Sequence, residues 1–217
     1  MNISNAFTFV KNDKEWITKI LITGLISIIP LIGQIYLTGW GMEVANRYLA
    51  GRSDLLPETE FGKHIKYGFK FLVVNFVYSL PIMVISFFSG IFTSIFSSSE
   101  SQAVQAFGAM LSCVSGLFSM IIGLIISLFI LAATLRLIET GNIRDALDLG
   151  KIWQMLTKAP KTFLVLLLLS ILVSLISSAG LIFCIVGIIF TIPYGAAVYG
   201  HLLGQAKVEV DQAISRS

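Results

Sequence analysis

Seven polar residues interrupt or flank otherwise apolar runs: Gln34, Glu43, Arg47, Asn75, Arg136, Glu139 and His201. Ionisable and amide groups in such surroundings are costly to keep, so each is a functional candidate by default. Arg47, Arg136 and His201 fall near the ends of apolar segments, where a cation favours the helix dipole and its stem can reach an interface. The planar donor fork of Arg suits phosphate, which makes Arg47, Arg136 and His201 lipid-headgroup candidates that repeated units could bring to one phosphate. Glu43, Asn75 and Glu139 are the polar candidates inside the runs.

Catalytic chemistry has little to build on. The chain has two histidines, His64 and His201, and lacks a Gly-x-Ser-x-Gly elbow, a His-Glu-x-x-His helix and a Gly-rich phosphate loop. A lone His without a partner carboxylate is a weak general acid or base, and a lipid-acting enzyme would need Glu43, Glu139 and His201 to converge. Cys113 and Cys184 lack CxxC spacing and read as packing residues, so no metal, disulfide or cofactor is implied. The expectation is a protein that is not an enzyme.

The elements that hold these residues are set by the missing charge. Between Lys161 and Lys207 lie 45 residues without Asp, Glu, Lys or Arg, and similar runs fill Ile20 to Met42, Phe71 to Ser99 and Ser101 to Leu135. About 20 apolar residues cross a bilayer core as helix, and only helices or closed barrels satisfy the backbone there. The 217 residues are 56% hydrophobic and 12% charged, against about 25% charged in an average soluble domain. A net charge of +3 is too small to argue for nucleic acid. Residues 1–15 lack the pattern of a signal peptide, so the start is expected to be retained.

Ile32 to Gly51 matches Val186 to Gln205 without gaps, pairing Gly33 with Gly187, Gly41 with Gly195 and Arg47 with His201. Phe61-Gly62-Lys63 likewise leads into a long apolar run, as Leu149-Gly150-Lys151 does. The reading is an all-α, polytopic transmembrane bundle forming one domain over 1–217. It has about six membrane helices as three hairpins, in pseudo-repeats 4–51, 59–141 and 147–205, linked by short amphipathic interfacial helices. The expected helices are Trp16 to Ile29, Gly33 to Ala50, Gly68 to Phe96, Ala106 to Arg136, Lys161 to Ser178 and Leu181 to Gly204. The first run, Ile17 to Ala50, could also be one span or re-entrant, because about 14 residues of helix fall short of the core thickness.

Hairpins put every Lys and Arg on one side, so both termini are expected in the cytoplasm of a cell-membrane protein. Two segments read as surface helices: Glu60 to Tyr67, with Lys63 and Lys66 open to phosphates, and Ile143 to Thr157, with Leu149, Ile152 and Trp153 on one face. Small residues recur every four positions, including Gly108 and Gly116 and the stripe Ala196, Gly200, Gly204, and are expected to pack helices. Oligomeric state is left open.

Leu56-Pro57, Phe61-Gly62, Gly68-Phe69-Lys70, Tyr78-Ser79-Leu80-Pro81, Arg136-Leu137-Ile138-Glu139-Thr140-Gly141, Leu147-Asp148-Leu149-Gly150-Lys151, Pro193-Tyr194 and His201-Leu202-Leu203-Gly204-Gln205 occur in order. Together they resemble the family known as domain of unknown function 4013. The resemblance covers nearly the whole chain and implies a multi-pass protein of prokaryotic membranes, with no established activity. Lys158-Ala159-Pro160-Lys161 departs from the more polar turn expected of that family, without bearing on function. The functional reading is a structural, assembly or regulatory component that binds membrane lipids or a membrane protein partner. The alternatives are a small transporter or channel, then a lipid-acting enzyme, and a cavity lined by Asn75, Glu43 or Glu139 would favour these.

Overall fold

The computed structural model describes residues 1–180 and 184–216. Among them the regular elements are helical, with no strand: α1 (Ile3–Thr8), α2 (Trp16–Ser27), α3 (Ile32–Leu49), α4 (Phe61–Ser97), α5 (Gln102–Thr140), α6 (Ile143–Ala146), α7 (Leu149–Lys158), α8 (Pro160–Ala179) and α9 (Cys184–Ser215). A 3-10 turn, Phe9–Asn12, follows α1.

Local chemistry accounts for several boundaries. Asn2 caps α1 by accepting from the Asn5 N–H, and Asp148 caps α7 by accepting from the Lys151 N–H. Pro160 opens α8, where a missing N–H costs nothing. Gly141 closes α5 at φ 65°, its N–H donating to Leu137 O at 2.8 Å, the left-handed end that glycine takes without strain. Between α2 and α3 the chain reverses at Leu31, with φ 64° and a 2.7 Å bond from Ile32 N–H to Pro30 O. This is the γ-turn of positive φ, the rarer and strained form.

Four helical stretches are long and apolar enough to cross a membrane: Phe61–Ser97, Gln102–Thr140, Pro160–Ala179 and Gly187–Ser215. The expectation of about six is met in part. The 12 residues of α2 rise about 18 Å, well short of a hydrocarbon core of about 30 Å, and α3 carries Glu43 and Arg47. The amphipathic segment Glu60 to Tyr67 is no separate surface helix; it forms the cap and first turns of α4, with His64 buried. Ile143 to Thr157 breaks at Leu147-Asp148 into α6 and α7. Ile152 and Met155 turn inward while Leu149 and Trp153 are exposed, so the single apolar face expected there is divided. The expected start of the last helix at Leu181 and the packing of Cys184 lie outside the described residues and side chains. Cys113, read as a packing residue, is exposed.

One core joins α3, α5, α7, α8 and α9 through Met42, Leu135, Ile152, Leu166 and Leu202. A second gathers Phe9, Ile20, Tyr36, Trp40, Leu56 and Ala197 beneath the N-terminal segment. α4 and α5, at 37 and 39 residues, rise about 55 Å and 58 Å. Their far halves run antiparallel and touch through Ser89 with Ser115 at 2.7 Å, Thr93 with Ser112 at 3.0 Å, and Phe96 with Phe107. Phe87, Phe88, Phe92, Leu117 and Phe118 there stay exposed.

Candidate functional site

The connection between α3 and α4 buries Leu56 completely, and a buried backbone must find partners for its N–H and C=O. Three elements supply them. The Leu56 N–H donates to Asp13 Oδ2 at 3.0 Å, and the Leu56 carbonyl accepts from Arg47 Nη1 at 3.0 Å and Lys19 Nζ at 3.4 Å. Trp40 Nε1 donates to Pro57 O at 3.4 Å, and His64 Nε2 donates to Glu58 O at 2.8 Å. Lys19 also pairs with Asp13 at 3.0 Å and Glu58 at 2.9 Å. Leu56-Pro57-Glu58 is thus clamped between the N-terminal segment, α2, α3 and α4. Burial opposes the Asp13 carboxylate, yet the Glu15 N–H, the Lys19 ammonium and the Leu56 N–H outweigh it and hold its pKa below the ordinary aspartate value.

The headgroup candidates do not share a partner. Arg47 is committed to Leu56. His201 is fully buried, stacks on Phe9 at 4.4 Å, meets Tyr48 edge-on at 4.8 Å and accepts at Nδ1 from Gln205 Nε2 at 3.0 Å. Gln205 and Asn2 in turn bond to each other twice through side chain and backbone, and the N-terminal ammonium pairs with Glu209. Arg136 pairs with Glu139 at 2.7 Å, and Glu139 also meets Lys207 at 3.2 Å, with Asp211 on the far side of Lys207. A cleft of about 240 Å³ opens there, lined by Arg136, Glu139, Lys151, Gln154, Lys207 and Asp211.

The polar candidates inside the apolar runs also separate. Glu43 pairs with Lys63 at 2.8 Å, so one donor of Lys63 is spent on a carboxylate of α3. Asn75 Oδ1 accepts from Ser79 Oγ at 3.0 Å and, with Gln34 and Thr38, lines a groove of about 430 Å³ between α3 and α4. Among the described residues no group of His, Cys, Asp and Glu could hold a metal ion.

The small residues sort by contact. A methyl at Gly200 would meet the Gly41 carbonyl oxygen and Val44 Cβ, one at Gly204 would meet Tyr48, and Gly41 lies against Ala196, so this stripe is the seam on which α3 and α9 run parallel. Gly108 packs on Phe96, but Gly116 faces open space and is no packing residue within this chain. Gly116→Leu is therefore expected to shift stability by no more than about 0.5 kcal/mol, read as an unchanged melting temperature in detergent, while Gly108→Leu lowers it.

Sequence reasoning missed Gly39 and Gly68, where a methyl on either would strike the backbone oxygen of the other helix, His64 O or Ile35 O. Neither belongs to a four-residue stripe. It also missed Asp13, Lys19, Glu58 and Lys207; the signal available was Lys19 standing just inside an apolar helix, with Asp13 six residues before it.

A family model described as Protein of unknown function (DUF4013) matches residues 22–198. No curated protein and no solved structure matches the chain.

Proposed function

This chain belongs to the DUF4013 family, and we propose that it is a multi-pass protein of a prokaryotic cell membrane that binds lipid or a membrane protein as a structural, assembly or regulatory component rather than as an enzyme. The observation that carries this reading is the bare apolar surface of α4 and α5: Phe87, Phe88, Phe92, Leu117 and Phe118 are exposed on helices far longer than a bilayer core. Glu43, Glu139 and His201 are tied to different neighbours, which supports a non-enzymatic role. The fold is three repeated hairpins in one transmembrane domain, the first short enough to be re-entrant, with Leu31 at its exposed tip. The parallel seam of α3 and α9 supports the repeat, since the two segments that match in sequence lie side by side in the same direction.

The basic residues belong in the cytoplasm, with both termini. Impermeant thiol labelling of single cysteines on an otherwise Cys-free chain measures this: Ser99→Cys labels from outside, and Asn12→Cys and Gln212→Cys label only after permeabilisation. Labelling of Asn12→Cys but not Gln212→Cys from outside would restore a single first span. A transporter is the second reading, favoured by the groove holding Gln34 and Asn75 beside the apolar helices. It requires that Asn75→Cys react with water-borne thiol reagents, whereas the binding reading requires that it stay inert.

A further inference from the structure

We propose that the cleft between α5, α7 and α9 is a phosphate site. It deepens the lipid-binding reading above and moves it from Arg47 and His201 to a different set: Arg136, Lys151 and Lys207.

Three cations, Arg136, Lys151 and Lys207, line one cleft of about 240 Å³ with two carboxylates, Glu139 and Asp211, beside Gln154. The carboxylates do not exhaust the donors. Arg136 gives Nη1 to Glu139, while its Nε is buried with no partner. A buried guanidinium N–H without an acceptor is costly, and a phosphate oxygen accepts from Nε and a terminal nitrogen together. Lys207 is 2% exposed and spends two of its three N–H bonds on Glu139 and Asp211. Lys151 is half-exposed and only loosely held, 3.8 Å from Asp148, so it can turn to an incoming anion without breaking a close pair. Arg47 Nε is buried without a partner as well, so it is the company of Lys151 and Lys207 in one cleft, rather than the free Nε alone, that sets Arg136 apart.

Position within the fold favours phosphate carried by lipid. α7 exposes Leu149 and Trp153, and Trp153 stacks over Phe129 of α5 at 6.3 Å, placing an indole beside the apolar part of that helix. Such a Trp sits at headgroup depth, and Lys151 and Gln154 on the same short helix then stand level with phosphates. The same chemistry would accept a soluble phosphate ester from the cytoplasm.

The test uses the full chain in detergent, with native mass spectrometry after addition of phosphatidic acid or phosphatidylcholine, and separate titrations with inorganic phosphate. Phosphatidic acid is expected to be retained over phosphatidylcholine. Arg136→Gln should reduce that retention about tenfold and Lys151→Gln a few-fold, while Arg52→Gln, an exposed position outside the cleft and the clamp that loses the same charge, changes it less than twofold. Because Arg136→Gln could disturb folding by freeing Glu139, the exposed Lys151→Gln carries the decision. Competition by millimolar inorganic phosphate with no preference for the lipid assigns the site to soluble phosphate; retention that resists it assigns the site to lipid. Equal retention by Lys151→Gln, Arg136→Gln and the unaltered chain, with no phosphate binding, overturns the site. Those outcomes are independent of the labelling pattern at Ser99, Asn12 and Gln212, on which the topology stands or falls.

Discussion

Gly200→Leu should lower the melting temperature in detergent sharply, and Ser98→Leu should leave it unchanged. A Cβ on Gly200 would press into the Gly41 carbonyl oxygen and come within 2.9 Å of Val44 Cβ. The obstacle is backbone, which cannot rotate away as a side-chain end does. Relief requires α3 and α9 to separate, which also lifts Ala196 from Gly41 and Gly204 from Tyr48. Overpacking of this kind costs about 1–3 kcal/mol, and in a membrane no hydrophobic force compensates for lost close contact between helices. Ser98 is exposed in the link after α4, where its hydroxyl bonds only the Ser94 carbonyl, so its replacement falls within about 0.5 kcal/mol. Coincident melting curves for the two variants would mean that α9 does not lean on α3 at this seam.

That seam was legible because it is periodic: Ala196, Gly200 and Gly204 return to one helix face every four residues, and their aligned counterparts lie in α3. The Gly39–Gly68 contact was not, because a single glycine from each helix meets the backbone of the other and leaves no repeat in either. Long uncharged runs gave α4, α5, α8 and most of α9, since hydrocarbon tolerates nothing else over that length. They could not give the lengths of α4 and α5, because the polar turns at either end continue the same helix beyond the apolar part. The polar candidates were found in the right places with the wrong company. Arg47, Arg136 and His201 look alike from their positions in the repeats, yet Arg47 serves a loop carbonyl, His201 an aromatic stack and Arg136 a charged cleft. Leu56 and Phe9 are 9 and 192 residues from Arg47 and His201, and Lys207, which reaches Arg136 only through Glu139, is 68 residues from that glutamate; no local pattern announces them.

The clamp on Leu56 gives the second large effect. Asp13→Ala is expected to cost about 3 kcal/mol, because it removes the partner of a nearly buried Lys19 and the acceptor of the Leu56 N–H in one step. Lys19 keeps Glu58, whose side chain is 61% exposed and holds it less firmly. Replacing both charges, Asp13→Ala with Lys19→Met, should recover part of the loss, since an absent pair is tolerated better than half of one. The acid side of the stability profile reports the same contact. The folded pKa of Asp13 lies below its unfolded value of about 3.9, so its contribution is complete above that value and is lost as pH falls through the folded one. Asp13→Asn should flatten this part of the profile while Glu100→Gln leaves it intact. Melting temperatures recorded between about pH 6 and pH 3 decide the matter: parallel curves for Asp13→Asn and the unaltered chain would show that the carboxylate gains nothing from Lys19 and Leu56 on folding, and the clamp would then rest on Arg47, Trp40 and His64 alone.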